Sequence, residues 1–271
     1  VLQSETLILD KEDAKEAPQG KGEIVFDHVS FGYPNAKEYA LNDIDFTAKA
    51  GQTTAIIGST GCGKSTLVNL IPRLFDVSEG KIAIDGMDIR DMKMKDLRKM
   101  IGFVPQKGVL FSGTIASNIR FGNESATDAE VEQAAAIAQA TEFVDEKEKR
   151  YDSEVAQGGN NVSGGQKQRL AIARAIAKHP KIYVFDDSFS ALDYKTDAAL
   201  RRALNTQVKD ATVIIVAQRI STIMHADQIL VLEDGRIVGR GTHEELLANN
   251  EVYRQIAQSQ LTQKDLEGKG C

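Results

Sequence analysis

The chain has 271 residues, 42% hydrophobic and 27% charged, with a formal net charge of −6, a composition that suits one large globular domain or two small lobes. The negative balance and the lack of any basic stretch argue against nucleic acid as a main partner. Two well-separated cysteines, Cys62 and Cys271, make no disulfide framework and fit a reducing compartment. No apolar run approaches the ~18 residues of a membrane span.

In chain order, residues 1–21 are polar and charged, carry no signal-peptide pattern and read as a linker. Leu7-Ile8-Leu9 could end a preceding helix or pack on the domain. From Gly22 the pattern becomes strand-like. Ile24, Phe26 and Val29 to Phe31 predict one strand, and the alternation of Ile44, Phe46 and Ala48 a second. Thr53 to Ile57 predicts a short apolar strand, followed by a glycine-rich turn and a helix from Lys64 to Phe75. Lys81 to Asp85 with Gly86 reads as strand and turn, and Lys95 to Met100 as a short helix. Thr127-Asp128-Ala129-Glu130 is a capping box opening an alanine-rich helix that runs to Ala140. Gly164 to Lys178 is a further helix, stopped by His179-Pro180. Strands return at Ile182 to Phe185, Thr212 to Val216 and Gln228 to Leu232, and Asp234-Gly235 predicts a hairpin into Arg236 to Arg240. Thr242-His243-Glu244-Glu245 opens one last long helix. Strands alternating with helices predict an α/β fold with a mainly parallel sheet.

Gly58-Ser59-Thr60-Gly61-Cys62-Gly63-Lys64-Ser65 fits the phosphate-loop pattern G-x-x-x-x-G-K-[ST] in full. Its backbone N–H groups and the following helix start make an anion cradle. Lys64 is the expected partner of the β- and γ-phosphates and Ser65 of Mg²⁺, with Thr66 the last of the nucleotide-binding residues of the loop. Cys62 reads as a small filler. The apolar run Ile182-Tyr183-Val184-Phe185 ends in Asp186, placing a carboxylate at the C-terminal sheet edge as a second Mg²⁺ partner.

Val162-Ser163-Gly164-Gly165-Gln166 resembles the signature motif of ABC ATPases, and Ser163 can cap the helix it opens. The resemblance extends from Gly22 to about Ser259. It implies a P-loop NTPase core with an antiparallel β subdomain and a helical insert at about 107–178, within an ATP-binding domain at 22–260. Residues 261–271 are expected to form a disordered tail, and residues 1–21 to lead from a transmembrane domain. Two such domains would sandwich ATP head to tail at the cytoplasmic face of a membrane, each signature reading the γ-phosphate held by the other. By the same resemblance Tyr33 stacks on adenine, unless it is simply a strand-end tyrosine. Gln106 senses Mg²⁺ and links to the transmembrane partner, and Ser190-Ala191-Leu192-Asp193 lies at the dimer seam. Phe111 to Gly122 lies near the docking surface for the transmembrane domain. Glu154 to Gly159 sits where exporters carry a cross-contact loop, although its wording departs from theirs.

Two further residues depart from the family. Asp187 stands where it has the glutamate that polarises the attacking water, and Gln218 where it has the switch histidine. Asp and Glu differ little in intrinsic pKa, ~3.9 against ~4.3, so the loss is one of reach. One methylene retracts the carboxylate by about 1.5 Å, and a misplacement on the order of 1 Å can cost ~10²-fold in rate. Gln218 can hydrogen-bond phosphate but cannot become cationic. The pattern resembles the degenerate subunit of heterodimeric ABC exporters of multidrug or lipid type, paired with a consensus-site domain. Three other readings stay open. One is a homodimeric exporter ATPase that uses Asp187 as its base. Another is a nucleotide-gated scaffold without turnover. The third is a DNA-associated ABC ATPase, disfavoured by the short Gln106–Ser163 separation and the negative charge.

Overall fold

The computed structural model describes residues 8–208 and 210–260. Its centre is a six-stranded sheet in the spatial order Arg236–Gly241, Gln228–Glu233, Thr53–Ile57, Thr212–Val216, Ile182–Asp186, Ile101–Val104. All neighbours run parallel except the edge hairpin 228–241. At its turn Asp234 and Gly235 both have positive φ, 43° and 72°, the backbone that a two-residue hairpin needs.

The strands alternate between two cores, which is why they read as unbroken apolar runs. Ile56, Val184, Ile214, Val216 and Leu230 pack towards the phosphate-loop helix Lys64–Leu70 and a second, antiparallel sheet. That sheet has the order Leu41–Ala48, Ile24–Phe31, Glu79–Ile84, Met87–Asp88, and Phe26 stacks on Phe46 within it at 4.6 Å. Ala55, Ile57, Phe185, Ile215 and Val231 face the other way, into the core shared with Gly164–Ala177 and the helices Ile115–Arg120 and Asp128–Ile137. The capping boxes at Thr127, Ser163 and Thr242 all form.

The structure corrects the predicted elements at several points. The helix from Lys64 ends at Leu70 rather than Phe75. Pro72 has no N–H to continue the ladder, and Arg73 turns left-handed at φ 52°, its buried guanidinium tied to Asp76. The last helix is two helices, His243–Asn249 and Glu251–Gln260. Asn250 is extended between them, and its Oδ1 accepts from Tyr253 N–H at 2.8 Å, so it starts the second helix while ending the first. The helix Tyr194–Gln207, capped by Asp193, and the edge strand Ile101–Val104 were not foreseen. The stretch read as a linker is stitched to the domain from residue 10. Asp10 accepts from Met94 N–H, and Lys15 exchanges backbone hydrogen bonds with residues 91 and 93. Residues 1–7 and the expected tail 261–271 lie outside the described residues.

The two C-terminal helices meet through His243, whose Nδ1 lies 2.7 Å from the hydroxyl of the fully buried Tyr253. Burial pushes the His243 pKa down. An imidazole depressed in the folded state contributes stability above its unfolded pKa that is lost as pH falls through the folded value. Thermal stability is therefore expected to decline from about pH 6.5 downward. A His243→Leu chain should flatten that decline, as a melting series between about pH 5 and 7 would read.

Candidate nucleotide site

Parallel strands that lie side by side end side by side. Thr53–Ile57, Thr212–Val216, Ile182–Asp186 and Ile101–Val104 are consecutive neighbours, with Val216 in register with both Ile56 and Asp186. The residues that follow each strand therefore form one row along the C-terminal edge, where ligands collect in α/β sheets. The row holds the phosphate loop, Gln218, Asp187 and Gln106, residues scattered across the sequence.

The loop is wrapped tightly. Lys64, 9% exposed, donates from its ammonium to Gly58 O at 2.8 Å and Ser59 O at 2.6 Å. Cys62 is buried beneath it, with Sγ 3.7 Å from that ammonium, and fills space as expected. Ser65 Oγ donates to Asp186 Oδ1 at 2.9 Å, so the two Mg²⁺ candidates already touch. Burial is the largest influence on Asp186 and pushes its carboxyl pKa up, against the Ser65 hydrogen bond, and neighbouring Asp187 adds to the rise. Hydroxyl and carboxylate oxygens in a pocket that disfavours net negative charge are the hard donors Mg²⁺ takes. Tyr33 lies at the rim, 39% exposed, with its hydroxyl 3.0 Å from Thr66 Oγ1 and its ring packed edge-on against Phe31 and Phe75.

Asp187 is held from two sides. Its Oδ2 accepts from Gln106 Nε2 at 3.1 Å and from Gln218 Nε2 at 2.7 Å. Its backbone is left-handed at φ 46°, a conformation that Asp adopts more readily than longer side chains. Ser188, fully buried, anchors the turn by donating to Val104 O at 2.9 Å.

The signature segment is not part of this row. Ser163 caps its helix through Gln166 N–H at 3.2 Å, and Gln166 returns a bond to Ser163 N–H at 3.0 Å. Gly164 faces open space, and Gly165 approaches Ala191 O of the seam segment. No hydrogen bond joins Ser163 or Gln166 to the phosphate loop among the described residues. Ser163→Ala should therefore cost about 1 kcal/mol of stability through the lost cap. It should leave nucleotide affinity of this chain's own loop unchanged, as melting and titration would show.

Sequence reasoning missed one residue that supports the row and one that braces the helical lobe beside it. Gln168, buried on the apolar face of Gly164–Ala177, donates to Pro105 O and accepts from Gly108 N–H, clamping the Gln106 loop at both ends. Arg174 donates to Asn118 O, Asn118 Oδ1 and Val109 O and lies against the rings of Phe111 and Phe121. A polar residue on the buried face of an amphipathic helix was the available signal for both.

The profile of the ABC transporter family matches residues 41–190, more than half of the chain. An ABC transporter ATP-binding protein of Mycobacterium tuberculosis is 50% identical over 245 residues, covering 89% of this chain and 42% of that protein. An ATP-dependent lipid A-core flippase of Yersinia pestis is 44% identical over 262 residues, covering 94% and 45% respectively. Among solved structures, a bacterial Atm1-family ABC exporter with ATP bound superposes with a TM-score of 0.93 at 37% identity, over 97% of this chain and 46% of that one. The chain thus spans less than half the length of these relatives, and none of its described helices is long and apolar enough to cross a membrane. It belongs to the ABC transporter family, as an ATP-binding, ATP-hydrolysing domain.

Proposed function

We propose that this domain powers an exporter for lipid- or drug-like substrates, that its own site binds MgATP firmly and hydrolyses it slowly, and that it pairs head to tail with a nucleotide-binding domain carrying the consensus catalytic residues. The observation that carries the reading is the clasp on Asp187. Both amides engage the same carboxylate oxygen, Oδ2, which fixes the direction of the carboxylate and leaves Oδ1 as the acceptor for a water. Tethered in this way, a carboxylate one methylene shorter than the family's glutamate has little freedom to swing and recover the missing reach.

The binding half of the site is complete. Lys64 need only exchange the loop carbonyls for phosphate oxygens, and the loop N–H groups orient the phosphate chain. Ser65 and Asp186 would hold Mg²⁺, with Gln106 contributing its amide oxygen. Mg²⁺, when bound, neutralises charge on the β- and γ-phosphates. Tyr33 offers its exposed ring as an adenine platform. Gln218 can donate to a γ-phosphate oxygen but supplies no titratable proton.

Separation of Ser163 from the phosphate loop among the described residues supports the head-to-tail pairing, because it leaves the signature free for a partner's site. The flippase and Atm1-family relatives support an exporter. The exposed cluster Val109, Phe111 and Phe121, stiffened by Arg174, supports docking of a transmembrane partner on the helical lobe. The test is to titrate MgATP binding and follow steady-state hydrolysis on the same preparation. Saturable binding with turnover far below the ~10 s⁻¹ typical of enzymes is expected. Ordinary turnover by this chain alone would favour the homodimeric reading.

A further inference from the structure

The switch residue Gln218 sits on a short loop between Thr212–Val216 and the helix Ile220–Ile223. That helix has no side-chain cap of its own: Arg219, at the cap position, makes none. The missing acceptor comes from 40 residues downstream. Gln260, on the helix Glu251–Gln260, accepts from Ile220 N–H through Oε1 at 2.8 Å and donates through Nε2 to Gln218 O at 2.8 Å. One amide thus spans the loop and fixes the backbone on both sides of Arg219. Its own helix is rooted in the core by Tyr253 and Ala257, both fully buried, so Gln260 is presented from a rigid post. The line continues inward, since the side chain of Gln218 is bonded to Asp187 at 2.7 Å.

We infer that Gln260 is a positioning residue for ATP hydrolysis, holding the switch loop so that the Gln218 amide points at Asp187 and the γ-phosphate position. The C-terminal helix is thereby wired to the site without touching nucleotide. The inference rests on the place given to Gln218 under the proposed function. Freed of Gln260, the loop can shift by the order of 1 Å that costs up to ~10²-fold in rate, while the nucleotide stays bound by residues 58–66.

The test is single-turnover ATP hydrolysis by the full 271-residue chain, with ATP affinity measured in parallel, for Gln260→Ala, Gln218→Ala and the double variant. Gln260→Ala is expected to slow hydrolysis by about tenfold with affinity unchanged. It should add nothing in the Gln218→Ala background, because the two act in series. Gln260→Glu separates capping from positioning. It keeps an acceptor for Ile220 N–H and should recover the melting temperature, but it cannot donate to Gln218 O and should stay slow. If Gln218→Ala is slow and Gln260→Ala slows it further by the same factor, or if Gln260→Glu hydrolyses at the unmodified rate, the positioning role is overturned. If Gln218→Ala alone hydrolyses normally, the role proposed for Gln218 fails first, and this inference with it.

Discussion

The double variant Asp187→Glu with Gln218→His is expected to hydrolyse MgATP about 10²-fold faster than the unmodified chain, at unchanged nucleotide affinity. The added methylene carries the carboxylate past the point where the Gln106 and Gln218 amides now hold it. Replacing Gln218 by His provides a ring that can still hydrogen-bond the γ-phosphate and can also carry a proton. Asp187→Glu alone should recover only part of the rate, since Gln218 still supplies no titratable proton. A modest stability loss should accompany it, because φ at this position is 46° and Asp tolerates that backbone better. Binding is insulated from both changes, since Lys64, Ser65 and the loop amides lie on different elements. Steady-state rates with parallel titrations decide the matter. Equal rates before and after reversion would mean that Asp187 already serves as base through the oxygen that the amides leave free.

Gly58→Ala is expected to abolish ATP binding and to lower stability by about 1–3 kcal/mol. A Cβ at residue 58 would lie 2.0 Å from Leu232 O and 2.8 Å from Cys62 Sγ. The first of these is backbone in Gln228–Glu233, which is paired with the strand Thr53–Ile57 that leads into the loop. It cannot give way without opening the sheet. The loop must move instead, taking with it the carbonyls that now hold Lys64. Gly164→Ala is the control, because nothing lies within 4 Å of its Cβ, and it should melt like the unmodified chain. Equal ATP affinity in Gly58→Ala would show that the loop reaches its binding geometry by another route.

The strands and the chemistry of the site were legible because each depends on local pattern. Thr53–Ile57 and Thr212–Val216 are bounded as read, being short apolar runs closed by turn residues. The capping boxes at Thr127 and Thr242 and the cap at Ser163 are relations within one helical turn that form wherever their helix forms. Misreadings came where apolar spacing continued through a local breaker. Leu74 and Phe75 hid the stop at Pro72, and Val252 and Tyr253 hid the second start made by Asn250. Tyr194–Gln207 was passed over because its N-cap, Asp193, read as the end of a seam motif rather than as the opening of a helix.

The sequence by itself determined that this chain would bind a nucleoside triphosphate, since a phosphate loop is contiguous and its backbone geometry follows from its own residues. It also named Asp187 and Gln218 as departures from the family, because those are matters of residue identity. Only the tertiary structure decided what the departures do to each other. Gln106, Asp187 and Gln218 are far apart along the chain and meet because three parallel strands end at one edge. Gln168 and Gln260 act on that edge from helices whose polar residues carry no local motif. Hydrogen bonds between distant segments depend on packing direction and side-chain reach, and neither is encoded in spacing along the chain.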